Sequence, residues 1–219
     1  MTENYIAIGF GVIGAIMGAS LVGRLIADRY IRKLNRIFPG SELEGRDFVD
    51  RVMKAEGLEV NLESVRGVRG EFLFKEGVVK VPELENSSLL TLGISAHELA
   101  HASQASSNRA LVVVTALLEK LGVLLTYVFP VTVILGLTFY FPLLPGSLVL
   151  YLLIFLIILA KIPLEVDASR KALIYLDRYG ELSEEEVARL KKLLGLAILT
   201  RLTDLAVGFL VLVDLNEEW

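Results

Sequence analysis

Four long apolar stretches alternate with charged stretches along this chain of 219 residues. Each apolar stretch approaches the roughly 20 residues that a helix needs to cross the hydrocarbon core of a bilayer. They cover residues 5–26, 121–141, 146–162 and 193–213. The pattern predicts a mainly α-helical integral membrane protein with about four transmembrane helices.

The charged stretch after the first apolar one has the pattern of a small α+β domain. Ser41, followed three residues later by Glu44, fits a capping box and predicts a helix that ends near Glu56. Three short alternating or apolar runs follow and predict a short antiparallel sheet. They cover residues 60–65, 70–75 and 78–81. The last of these strands could offer its edge to an extended substrate, or could be a plain structural hairpin.

The chain contains two histidines, His97 and His101, within the string HELAH. Ser87 or Ser88 is the predicted N-cap of a helix that carries this string to about residue 107. Because positions i and i+4 share one helix face, both imidazoles can reach one Zn²⁺, while Glu98 stays free to act on a water molecule. The string therefore predicts a hydrolytic zinc site. The alternative is that both histidines are ordinary hydrogen-bonded residues.

A hydrolytic zinc ion needs a third protein ligand and an open position for water. No histidine or cysteine remains in the chain, so this ligand must be a carboxylate. The candidates are Glu165 and Asp167, which follow Pro163 at the end of the third apolar stretch. Alternatively, both are solvated charges that close a transmembrane helix.

Two strings make the chain resemble the YugP-like (neutral zinc) membrane metallopeptidases. They are AHELAHASQ at residues 96–104 and PLEVDASRKA at residues 163–172. The resemblance implies a gluzincin, with zinc held by His97, His101 and Glu165. HtpX-like enzymes have an aspartate four residues after the glutamate, where this chain has Ser169. That difference leaves open whether Asp167 supports or replaces Glu165.

The predicted activity is that of a zinc metalloendopeptidase. Glu98 would take a proton from the water that zinc activates and pass it to the leaving amine. Arg170 or Tyr175 could stabilise the oxyanion. The resemblance suggests a role in membrane-protein quality control, and the alternative is a catalytically inactive zinc-binding membrane scaffold. The predicted partners are a protein or peptide substrate and the lipid bilayer, a homo-oligomer stays open, and a net charge of −4 gives no reason to expect nucleic acid.

The distribution of positive charge predicts the orientation in the cell membrane. A cluster of basic residues follows the first apolar stretch, whereas only Glu3 precedes it, which predicts an outside N-terminus and a multi-pass protein whose active site faces the cytosol. The basic cluster comprises Arg24, Arg29, Arg32, Lys33 and Arg36. Within the last apolar stretch, Arg201 and Asp204 are expected to form a structural ion pair, and a transporter that uses them is the weaker alternative.

These predictions divide the chain into five parts. The N-terminal transmembrane helix covers residues 1–27, and a cytosolic zincin-like part with the HELAH helix covers 28–110. An interfacial helix and two transmembrane helices follow at 111–162. Cytosolic helices with the third zinc ligand occupy 163–192, and a C-terminal transmembrane helix occupies 193–219.

Overall fold

The computed structural model describes residues 2–41, 43–65, 70–82, 84–85 and 88–210, with the backbone alone at 2–4, 111–112 and 199–210. The described residues form mostly helices with one small sheet. The elements are α1 (Thr2–Leu34), α2 (Gly45–Glu56), β1 (Asn61–Val65), β2 (Glu71–Leu73), β3 (Val78–Pro82), α3 (Leu89–Ser107), α4 (Arg109–Thr138), α5 (Leu143–Tyr179) and α6 (Glu184–Leu210). They belong to two compact units, one of residues 1–26, 115–163 and 199–219 and the other of residues 27–114 and 164–198.

Three helices among the described residues are long and apolar enough to cross a membrane. They contain the segments Tyr5–Leu34, Val113–Thr138 and Leu143–Tyr179. Three of the four predicted spans thus have a helix that suits a membrane. The fourth, at residues 193–213, extends beyond the described residues, and so do the side chains of Arg201 and Asp204. That span and that ion pair stay predictions.

The first unit, which we call the apolar unit, has a small buried cluster and a largely apolar surface. The cluster joins α1, α4 and α5 through Ile13, Phe129 and Tyr151, and the rings of Phe129 and Tyr151 lie 5.4 Å apart. Outside it, large apolar side chains such as Phe139 are exposed, at 83% for that residue. In water such a surface would be costly, whereas in contact with lipid it is the expected one.

The helices of the apolar unit are longer than the sequence predicts. The interfacial helix expected near the start of residues 111–162 is not separate, because α4 continues without a break from Arg109 to Thr138. Glu119 accepts a hydrogen bond from Lys161 on α5 at 3.0 Å, so this charge is paired within the unit. Pro163 likewise lies inside α5 and does not end it.

The second unit, which we call the site unit, begins with the end of α1 and with α2. Helix α2 begins at Gly45 and ends before Gly57, whose φ of 62° forms a left-handed C-cap. Ser41 does not cap it, contrary to the prediction. Glu44 is the N-cap residue, with an extended backbone, and therefore Ser41 lies three residues before the cap position from which a side chain accepts from the first turn.

The sheet is mixed, and the antiparallel prediction is correct for one of its two pairings. Strands β2 and β3 pair antiparallel, whereas β1 pairs parallel with the other side of β3. The most apolar strand takes the central place, and its Val79 and Val81 are fully buried. Because β3 has a neighbour on both sides, it cannot offer an edge to a substrate. The predicted edge at 78–81 is wrong, and β2 is an outer strand instead.

Helix α3 is the central element of the site unit. It packs against α2, β2 and β3, and Gly93 lets Leu190 and Leu193 of α6 approach closely. Ser88 caps it by accepting a hydrogen bond from the Thr91 N–H at 3.2 Å, and the helix ends at Ser107, as predicted. Most of its side chains are buried on every face, which fixes the orientation of the polar groups that it carries.

Candidate metal centre

Three potential ligand atoms from two helices of the site unit converge. The distance from His97 Nε2 to Glu165 Oε2 is 3.2 Å, and that from His97 Nε2 to His101 Nε2 is also 3.2 Å. The third side of the triangle, from His101 Nε2 to Glu165 Oε2, is 3.6 Å. The histidines share one face of α3 because they are four residues apart, and α5 brings Glu165 to them. We call these three atoms the donor triangle.

The donor triangle has the dimensions that zinc requires. In a tetrahedral site with ligand bonds near 2.0–2.1 Å, neighbouring ligand atoms lie about 3.3 Å apart. The observed separations of 3.2, 3.2 and 3.6 Å bracket that value. Two imidazole nitrogens and one carboxylate oxygen are also a ligand set that zinc accepts in catalytic sites. The residues present therefore fit a zinc ion.

The donor triangle is buried and rich in negative charge. Glu165 is 4% exposed, and His97 and Glu98 are also buried. Burial lowers the pKa of His101, but the hydrogen bond and the charge of Glu165, with the charge of Glu98, outweigh it and leave this pKa raised. The site thus favours the protonated, positively charged form of the His101 imidazole. A divalent cation at the donor triangle would supply this positive charge in place of the proton.

Glu98 lies close to the start of β2, and its charge also acts on His101. It follows His97 on α3, and a Cβ atom added to Gly70 would come within 2.8 Å of the Glu98 Cγ. The same added atom would come within 2.4 Å of the Ile94 Cγ2. Only a glycine at position 70 lets the chain that enters β2 pass so close to this glutamate.

Gln104 connects the two helices that carry the candidate ligands. Its Oε1 lies 2.9 Å from the His101 Nδ1, one turn back on α3. Its Nε2 donates to the backbone oxygen of Leu164 at 2.9 Å and to the Asp167 Oδ2 at 2.8 Å. Leu164 directly precedes Glu165, so Gln104 contacts one candidate ligand, His101, and the residue before another, Glu165.

The predicted supporting residues on α5 lie in different places. Asp167 is not part of the donor triangle and hydrogen-bonds Gln104 instead. Ser169 is buried beside the Glu165 face of the helix, and its hydroxyl has no hydrogen-bond partner in the described part of the chain. Arg170 is exposed. Tyr175 is about 15 Å farther along the helix than Glu165, and its hydroxyl donates to Glu56 at 3.3 Å.

Arg170 and Tyr175, the two residues predicted to stabilise the oxyanion, both lie away from the donor triangle. Tyr175 has its hydroxyl at Glu56, and Arg170 lies five residues after Glu165, which turns it away from the Glu165 face of α5. Neither has a contact to the donor triangle among the described interactions, and their role at the oxyanion stays a prediction.

Sequence reasoning did not assign roles to Gln104 and Gly70. Gln104 stands three residues after His101, and this helical spacing indicates that the two side chains can meet. Its partners on α5 are about 60 residues away, and no local pattern reports them. Gly70 is the first residue of a predicted strand, where glycine is unfavourable. A glycine there indicates that another part of the chain approaches the backbone closely.

Fold and site together define a mainly helical protein that has, within its described residues, three candidate membrane spans and a His–His–Glu group able to hold a metal ion. The family model described as "Putative neutral zinc metallopeptidase" matches residues 9–216, and the chain belongs to this family. This confirms the resemblance drawn from the two strings. No curated protein and no solved structure matches the chain.

Proposed function

We propose that this protein is an integral membrane zinc-dependent metalloendopeptidase of the gluzincin type. One observation carries the proposal. His97, His101 and Glu165 form a triangle of zinc dimensions, and Glu98, next to His97 in the chain, is close enough for its charge to act on His101. Zinc, when bound there, would polarise a peptide carbonyl and increase the acidity of a water molecule. Membership of a zinc metallopeptidase family supports the same activity.

The residues of the site would have two roles, metal binding and proton transfer. His97, His101 and Glu165 hold the metal. The carboxylate of Glu98 takes the proton of the attacking water and then delivers it to the nitrogen of the leaving amine. Burial of Glu98 restricts water around it, and this strengthens its electrostatic effect on the reacting groups.

An extended peptide has a natural place along β2. This strand is at one side of the sheet, and no strand covers its outer side within the described residues. Its backbone groups could pair with a substrate of any sequence. The approach of Gly70 to Glu98 would bring the pairing strand next to the proton-transfer group. The expected substrates are therefore unfolded or extended protein segments.

The proposed location is the cell membrane, with the site facing the cytosol and the N-terminus outside. The basic residues after the first apolar stretch support this orientation. The chain has no cysteine, so one introduced as Ser106→Cys, at an exposed position of α3, would be its only thiol. An impermeant maleimide should label it in inverted vesicles and not in intact cells. The reverse pattern would overturn this orientation.

The test of the activity is Glu98→Gln, which removes the proton acceptor and keeps the size of the side chain. We expect cleavage of an unfolded, fluorescently labelled casein to fall by about 10²–10⁴-fold, the usual contribution of a positioned acid–base group. Zinc content, measured by metal analysis of the detergent-purified protein, should stay at the wild-type level because Glu98 is not a ligand.

The matched control is Glu59→Gln, the same change at an exposed glutamate of the site unit. It should cleave casein at the wild-type rate. Normal cleavage by Glu98→Gln would contradict the mechanism. A wild-type protein that binds zinc and yet cleaves no peptide would favour the zinc-binding scaffold.

A further inference from the structure

The side-chain amide of Gln104 can be oriented in only one way. Both groups near its nitrogen, the Leu164 carbonyl and the Asp167 carboxylate, are acceptors. Both N–H bonds of the amide must therefore point to α5, which leaves Oε1 facing the His101 Nδ1 at 2.9 Å. An amide turned the other way would place an oxygen against two acceptors. Leu164 and Asp167 on α5 thus determine that Gln104 directs its amide oxygen, an acceptor, towards His101 on α3.

This orientation has a direct consequence for His101. Because Gln104 presents an acceptor, the proton of the neutral imidazole must be on Nδ1. The other ring nitrogen, Nε2, then has its lone pair free, and Nε2 is the atom that lies in the donor triangle. The ring is held in the tautomer and the orientation that a metal ion requires.

The geometry points to Gln104 as a positioning residue that prepares the zinc site by coupling His101 to the helix of Glu165. It holds the His101 tautomer through Oε1. Through Nε2 it holds the peptide group that directly precedes Glu165. At 5% exposure, the amide has no competing solvent to satisfy it. This inference rests on the proposed zinc site and adds a residue that sets its affinity.

The first experiment measures zinc affinity by competition with a chromophoric chelator. Gln104→Met keeps the length of the side chain and removes all three hydrogen bonds. We expect zinc affinity to fall about 10–100-fold, as for other partners of metal-binding histidines. Thermal unfolding of the metal-free variant shows whether it folds. Ser106→Ala, which removes an exposed hydroxyl two residues farther along α3, should bind zinc as the wild type does.

A double-mutant cycle separates positioning from a general structural role. Asp167→Asn alone should change little, because the new amide oxygen can still accept from Gln104. Gln104→Glu keeps the acceptor for His101 but sets a carboxylate against Asp167, and zinc affinity should fall. Adding Asp167→Asn to Gln104→Glu supplies a donor to that carboxylate and should recover affinity at least fivefold. A structural role alone predicts no such recovery.

The outcomes separate this inference from the proposed function. If the wild type binds one zinc and Gln104→Met binds it within twofold of the wild-type affinity, the positioning role is wrong and the metal site stands. Additive effects of Gln104→Glu and Asp167→Asn would also overturn it. A wild type that binds no zinc would overturn both. The visible spectrum of the cobalt-substituted protein gives a second readout, since a misplaced His101 alters the ligand field.

Discussion

The two helices that meet at the donor triangle reach it by different means. Helix α3 supplies two candidate ligands from positions four residues apart, and the helix itself aligns them. Helix α5 supplies Glu165, which is 68 residues from His97 along the chain and has to be brought there by the fold. The candidate ligands of α3 thus depend on local geometry, whereas the one on α5 depends on tertiary contacts, which include the hydrogen bonds from Gln104 to the Leu164 oxygen and to Asp167.

The largest expected effect comes from removing a ligand from either helix. His101→Ala removes one from α3, and Glu165→Ala removes the one from α5. Each leaves two protein ligands, so we expect both variants to lose zinc during purification in detergent, a larger loss than that of any supporting residue. Metal analysis of the purified proteins, expressed as zinc per chain, is the measurement.

The control for this pair is Asp177→Ala, which removes an exposed carboxylate from the same helix as Glu165. It should retain the full zinc content. If Glu165→Ala also retained zinc while His101→Ala lost it, α5 would not supply a ligand at Glu165. The third ligand would then be Asp167 or another carboxylate.

The contrast between the helices also explains what the sequence could predict. His97, Glu98 and His101 could be recognised at once, because their relation is fixed by the helical repeat. Glu165 could be predicted as a ligand only because no further histidine or cysteine remains and because a second string, PLEVDASRKA, resembles one in the metallopeptidase family. The link through Gln104 could not be predicted, since its partners follow from how α5 packs beside α3.

The sheet gives the same lesson at the level of the fold. Its three strands could be located from their alternating pattern, and the turn at Gly77, with a φ of 62°, indicates the β2–β3 hairpin. The place of β1 was not predictable from these signals. It pairs parallel with β3, and this pairing leaves the most apolar strand at the centre of the sheet.

A smaller effect is expected where β2 begins, beside α3. In Gly70→Ala the new methyl group would overlap the Ile94 side chain and approach the Glu98 Cγ and the Lys80 backbone oxygen. Because one contact is backbone, relief must come from shifts of α3 side chains. We expect the free energy of unfolding to fall by roughly 1–3 kcal/mol. Casein cleavage should fall more than zinc content, since Glu98 is displaced and the ligands are not.

The comparison variant is Gly40→Ala, where an added Cβ meets nothing within 4 Å and the backbone needs no left-handed φ. It should match the wild type in chemical denaturation and in cleavage. Wild-type cleavage by Gly70→Ala would show that the approach of β2 to Glu98 is a packing detail without a catalytic consequence.

The smallest expected effect distinguishes the two interactions of the Asp167 carboxylate, with Gln104 and with Lys171. One carboxylate oxygen accepts from Gln104 at 2.8 Å and also lies 3.9 Å from the Lys171 Nζ, on the more exposed side of α5. An i,i+4 ion pair of this length and exposure contributes about 0.5 kcal/mol or less. Lys171→Ala should therefore leave zinc affinity unchanged within twofold, in the same competition assay. A tenfold loss would mean that the charge of Lys171, and not the hydrogen bond of Gln104, holds Asp167 in place. The contribution that α5 makes to zinc affinity, apart from Glu165 itself, would then be electrostatic and would decrease at high salt concentration.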